Sequence, residues 1–235
     1  MRYAIYFTPE KDDPLTRAAA RWLGRDAFTG QSIAPVEAGP FSAAEISFHT
    51  AAARRYGFHA TLKAPFHLAE GQSEQSLIAA LADFCERTEP VIIPRAVVRR
   101  LDGFFALVPE DRSPRLDALA GNIVEAFEPF RAPLTQEELE RRNPEGLSPS
   151  QLKNLYKWGY PHVFEAFRFH MTLTGRVPQA EAVRMERAID AFFGPLLSEP
   201  LEIGSLALFI EPEPGAPFQV RYSHALGWNK TRKTA

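Results

Sequence analysis

Two five-residue runs hold the side chains best suited to chemistry, Phe58-His59-Ala60-Thr61-Leu62 and Phe169-His170-Met171-Thr172-Leu173. Imidazole titrates near neutrality, so one copy can accept a proton while the other donates one. A threonine hydroxyl two residues on can bond an anionic oxygen without adding charge. Side chains at i and i+2 of a strand share a face. His59, Thr61 and Lys63 are therefore expected to point one way, and Arg168, His170, Thr172 and Thr174 to do the same in the second run. Two imidazoles, two hydroxyls and a cation from Lys63 or Arg168 suit a phosphodiester. Its hydrolysis needs a proton taken from water, a proton given to the departing alkoxide, and support for extra negative charge in the transition state. One H-x-[S/T] match is weak, because chance supplies such matches; two with identical Phe and Leu flanks call for a common cause.

The cause is a repeat. Tyr3–Gly24 resembles Phe104–Phe127: each has an apolar strand-like run, a Pro-Glu pair (Pro9-Glu10, Pro109-Glu110), a polar turn and a helix. Pro14 and Pro114 stand where those helices start, a position at which proline's missing N–H costs nothing. After each H-x-T run come an amphipathic helix, a Glu-Pro pair and further strands, with Asp102-Gly103 marking a tight hairpin. Residues 212–217 supply a longer Pro/Gly hairpin loop. The pattern predicts an α+β fold: a single bilobal domain over 1–235, with repeat units at about 1–103 and 104–228 and a flexible basic tail at 229–235. Two antiparallel-rich sheets flanked by helices should enclose a central cleft. The second unit also carries an insert at 129–165, whose Trp158 and Tyr160 are expected to border the cleft as substrate-binding side chains.

Bulk properties set the limits. Over 235 residues the net charge is −2 and the pI about 6.3, so no overall basic track favours long nucleic acid. The lone cysteine, Cys85, lies at apolar helical spacing and reads as a core residue in a reducing compartment. No apolar run reaches the roughly 18 residues of a membrane span, and the N-terminus lacks a signal pattern. The expectation is a cytoplasmic protein with no membrane association and no obligate protein partner. His49, His67 and His162 lack the run's context, and His224 reads as structural.

The runs F-H-A-T-L and F-H-M-T-L resemble the paired signatures of the two-histidine (2H) phosphoesterase superfamily, whose members are duplicated, bilobal α+β proteins. The stretches R-Y-G-F-H-A-T-L-K-A-P-F and W-G-Y-P-H-V-F-E-A-F-R-F-H-M-T-L-T-G are similar to a bacterial branch associated with phosphonate metabolism (DUF1045-like). The resemblance implies catalytic His59 and His170, Thr61 and Thr172 on the phosphate, and neither metal nor other cofactor. It further implies a phosphodiesterase acting on a small or cyclic phosphodiester, such as a sugar cyclic phosphate. Lys63, Arg168, Trp158 and Tyr160 are assigned from strand facing and position alone.

Other readings stay open. RNA-end processing is kept alive by Arg95, Arg99 and Arg100, although arginines on strands and turns more often form solvated surface. A nucleotide- or phosphate-binding sensor could use the same cleft without turnover. Zinc is disfavoured, because the two strand faces offer Thr, Lys and Arg where a third protein ligand would be needed. Neither a G-x-x-x-x-G-K-[S/T] loop nor a G-x-S-x-G elbow occurs.

Overall fold

The computed structural model describes residues 1–34 and 36–227, so the tail expected at 229–235 lies outside it. The helix starts follow the local sequence. Asp13 accepts the Leu15 N–H at 2.7 Å and Pro14 opens α1 (Pro14–Leu23); Ser113 accepts the Leu116 N–H and Pro114 opens α4 (Pro114–Ala126). Ser42 and Ser73 form capping boxes for α2 (Ala43–Arg54) and α3 (Glu74–Glu86). Asp102 and Gly103, both at positive φ, turn β4 (Ala96–Leu101) into β5 (Phe104–Pro109) as expected.

Seven strands form one antiparallel sheet in the order β4-β5-β6-β2-β1-β8-β9. The remaining members are β1 (Arg2–Phe7), β2 (Ala60–Phe66), β6 (Met171–Arg176), β8 (Ser205–Glu211) and β9 (Gln219–Ala225). A separate pair joins β3 (Val91–Ile93) to β7 (Leu201–Ile203). The two antiparallel halves, each expected as a sheet, meet at a single bridge, Ala60↔Met171, and so form one continuous sheet.

The repeat units exchange strands across that junction. β4 of the first unit pairs with β5 of the second, while β8 and β9 of the second extend β1 of the first. Helices cross over too: α1 and α2 pack on β6, and α4 packs on β2. The Trp22 indole of α1 donates to the Leu173 carbonyl of β6 at 2.9 Å, a bond that ties one unit's helix to the other's histidine strand. One core runs beneath both halves. Phe7, Trp22, Phe66, Phe105, Phe127 and Phe193 are fully buried in it, each worth ~1.5–3 kcal/mol by area removed from water.

Register repeats with the fold. Tyr6 pairs with Thr61 and Phe7 with Ala60 in one half; Ala106 pairs with Thr172 and Leu107 with Met171 in the other. Both ladders are then interrupted by a bulge, at Ile5↔Lys63 in one and after Phe104 in the other.

Candidate active site

Antiparallel pairing about Ala60↔Met171 sets His59 across from Thr172 and Thr61 across from His170. All four line a cleft of about 820 Å³. The two expected pairs therefore converge on one site, where the Thr61 hydroxyl lies 3.3 Å from His59 Nε2 of its own strand.

The histidines are held in the same way. His59 Nδ1 lies 2.9 Å from the Gly57 carbonyl, and His170 Nδ1 lies 2.8 Å from that of Arg168. A carbonyl only accepts, so both Nδ1 atoms carry the proton and donate it. Each neutral imidazole therefore turns an unprotonated Nε2 to the cleft. Gly57 stands at φ +75, and a Cβ there would come within 2.5 Å of Ala27 Cβ, so glycine is needed for the turn that supplies the carbonyl to His59.

The surroundings of the two rings differ. Tyr6 stacks on His59 with ring centroids 4.0 Å apart, and is itself seated on Phe209 and Phe218. Burial, opposed by the Gly57 bond and aided by the nearby His170, pushes the His59 imidazole down to about 4. Burial also raises the Tyr6 phenol, which stands beside the Thr61 hydroxyl. His170 has the more open Phe104 as its ring neighbour, at 5.8 Å; the position in this half equivalent to Tyr6 holds Ala106.

Most charge around the cleft is internally balanced. Glu211, buried, receives both Arg2 and Arg55, and Arg141 pairs with Glu137. Arg142 lines the same cleft, lies over the Tyr160 ring at 5.1 Å, and forms no ion pair among the described residues. The insert brings it there: α5 (Gln136–Arg141) ends at Arg142, and Tyr160 follows the Gly159 cap of α6 (Pro149–Trp158). Tyr160 reaches both the central cleft and an adjoining cavity of about 630 Å³, where Arg168 and His162 also stand. Among the described residues, no three His, Cys, Asp or Glu side chains group as a metal site would require.

Two expected site residues stand elsewhere. Lys63 is buried, with its ammonium 2.9 Å from the Val124 carbonyl and 2.9 Å from Glu128. The β1–β2 bulge breaks the alternation on which its placement rested, turning it onto the C-terminal end of α4, where free carbonyls favour a cation. Thr174, four residues past His170 as Lys63 is past His59, is likewise buried and accepts the Phe105 N–H. Trp158 lines no part of the cleft; it packs on Phe164 at 5.2 Å and under Lys157 at 4.5 Å within the insert.

Sequence reasoning missed Tyr6, Arg142 and His162. Aligning the repeats on Pro9 and Pro109 sets Tyr6 against Ala106 and exposes that mismatch. Arg142 carries no such signal, because folding of the insert alone brings it to the cleft; His162, in the adjoining cavity, lies within the stretch W-G-Y-P-H-V-F-E-A-F-R-F-H-M-T-L-T-G.

Comparison with known proteins adds the following. The profile of the family described as "Protein of unknown function (DUF1045)" matches residues 61–219. A ribose 1,5-bisphosphate phosphokinase PhnN from Janthinobacterium sp. (strain Marseille) is 39% identical over 221 residues, covering 92% of this chain and 49% of its own. The protein of the same name from Laribacter hongkongensis (strain HLHK9) is 37% identical over 220 residues, covering 94% and 50%. The chain thus spans about half the length of these curated relatives. Among solved structures, a crystal structure of a phosphoesterase aligns with a TM-score of 0.43 at 14% identity, covering 96% of this chain and 98% of that one. E. coli LigT complexed with 3'-AMP aligns at 0.43 and 13%, covering 96% and 97%. The profile match runs from Thr61 at the cleft to Gln219 in β9, more than half of the sequence, and the chain belongs to the DUF1045 family.

Proposed function

We propose that the protein is a phosphodiesterase of the two-histidine type, acting on a small or cyclic phosphodiester without a metal. The observation that carries this reading is the square of His59, Thr172, Thr61 and His170, with both Nε2 atoms turned into one cleft. The phosphate sits over the square, its non-bridging oxygens bonded by Thr61 and Thr172. Water attacks phosphorus as His59 Nε2 takes its proton. The bond to the ester oxygen breaks, and His170, protonated at Nε2, gives that oxygen its proton. One proton enters and one leaves the imidazole pair, so a proton exchange with solvent resets it.

The assignment of base and acid follows the asymmetry. His59 stays neutral under Tyr6 well below neutral pH, as a general base must. Arg142, in place of the expected Lys63, holds the charge that builds on the phosphate. The names of the two longer relatives, which refer to a ribose bisphosphate, support a sugar phosphate as part of the substrate. A panel of cyclic and linear phosphodiesters assayed in EDTA tests the proposal. Turnover that survives the chelator is expected; activity lost in EDTA and restored by a divalent ion would contradict it.

A further inference from the structure

On either side of the square the cleft opens into an arm, and the two arms differ in chemistry. Past Thr61 and His170 lies the cavity of about 630 Å³, whose wall carries Ser148, Ser150, Gln151, His162 and Arg168. Hydroxyl, amide, imidazole and guanidinium groups there can bond a hydroxylated ligand in several directions. Past His59 and Thr172 lies a second cavity of about 310 Å³, walled by Ala52, Ala53, Tyr56, Phe104 and Gly175.

This second arm is poor in free polar groups. The Thr174 hydroxyl at its edge already accepts the Phe105 N–H at 2.9 Å. Among the lining residues only Arg176 and His59 can carry charge. The arm exists because β2 and β6 pair at one position only, leaving the end of α2 to close the gap. A Cβ on Gly175 would stand 3.4 Å from the His49 carbonyl and 3.7 Å from Ala52 Cβ, so α2 and β6 converge tightly at this wall. Rings on two sides with small residues between them suit a flat apolar group.

We infer that the site takes an unsymmetrical phosphodiester, with a flat apolar ester group in the α2–β6 arm beside His59 and a hydroxylated group in the arm beside His170. The inference rests on the phosphodiesterase reading for the phosphate between the arms. It goes further in naming both substituents and their direction.

Benzyl and methyl diesters of one sugar phosphate test it, because the sugar oxygen beside His170 departs from both and the two esters differ mainly in what fills the arm. Turnover is read on the wild type. Affinity is read by calorimetry on His170→Ala, whose altered side chain does not line the arm. The benzyl ester should show a KM and a Kd ~10–100-fold below those of the methyl ester, the scale on which a buried ring discriminates. Ala52→Trp, at an exposed helix position, should fill the arm and bring the ratio to about 1; Ala52→Leu should lower it part of the way. Equal affinity for the two esters, or a benzyl advantage that survives Ala52→Trp, would overturn the inference. Absence of turnover with the benzyl preference intact would remove the hydrolase reading and leave the arm standing.

Discussion

The surroundings of His59 and His170 make an internal comparison. Both rings donate Nδ1–H to the carbonyl two residues before, both precede a threonine by two, and both strands carry a bulge two residues after that. Duplication explains all of this, since backbone register and ring tautomer follow from one local sequence used twice. What differs is what later substitution placed around each ring. Tyr6 seals His59 where Ala106 leaves the other half open, and the insert adds Arg142 and Tyr160 over the center. Backbone symmetry presents two equivalent imidazoles; on the proposed mechanism, side-chain asymmetry gives them different work.

The sharpest way to break the comparison is to remove each ring. His59→Ala and His170→Ala should each lower kcat/KM on the best diester by ~10²–10⁴-fold, the scale of one general acid or base. The double variant should lose little more than the worse single one, because the pair acts as a unit. The limbs of the pH profile should separate the roles. In the wild type the rising limb of kcat/KM should fall near pH 4, where His59 gains its proton, and His59→Ala should abolish it. Two variants that lose the same limb would contradict distinct roles.

Stability gives a second contrast. The folded pKa of His59, about 4, lies below the 6.5 of an unfolded histidine. As pH falls between these values the unfolded chain binds the proton and the folded one does not. Stability contributed by this group is therefore complete above pH ~6.5 and is lost by pH ~4, up to ~3 kcal/mol in all. Urea titrations of wild type and His59→Gln should show the wild type losing stability relative to the variant as pH falls from 6.5 to 4. Parallel curves would mean that Tyr6 does not hold the ring neutral.

Arg142 tests the insert. Arg142→Ala should lower kcat/KM by ~10–100-fold with little change in Tm, and Arg142→Lys should restore part of it, since a lysine keeps the charge and loses the planar fork. A fall in Tm with kcat/KM unchanged would make Arg142 a support for Tyr160 alone. The smallest effect belongs to Trp158→Ala, which should lower Tm by a few degrees and leave KM unchanged, because its ring packs on Phe164 away from the cleft.

Local rules made much of this legible. Proline at the two helix starts and Asp102-Gly103 at the hairpin each depend on a few adjacent residues, and the structure bears them out; it also sets the paired H-x-T runs on neighbouring strands. Lys63 was misplaced because strict alternation holds only in an unbroken ladder, and a bulge leaves no mark in the strand's own apolar pattern. Strand exchange between the units was hidden for a related reason: spacing reports what repeats, and partner choice is settled by long-range packing. Arg142 and His162 lie 28 and 8 positions before His170 in an insert without counterpart in the first unit, so nothing repeated could point to them.

The central claim is that the two histidines share one anion site. It is tested most directly by titrating ¹⁵N-histidine-labelled protein with sulfate, whose charge stays constant with pH, and following the imidazole signals. Assignment comes from His59→Ala and His170→Ala. Both rings should shift together along one binding curve, and affinity should rise as pH falls, because a protonated imidazole donates to the anion. A curve in which only one histidine responds, or two curves with different midpoints, would contradict a shared site and the mechanism built on it.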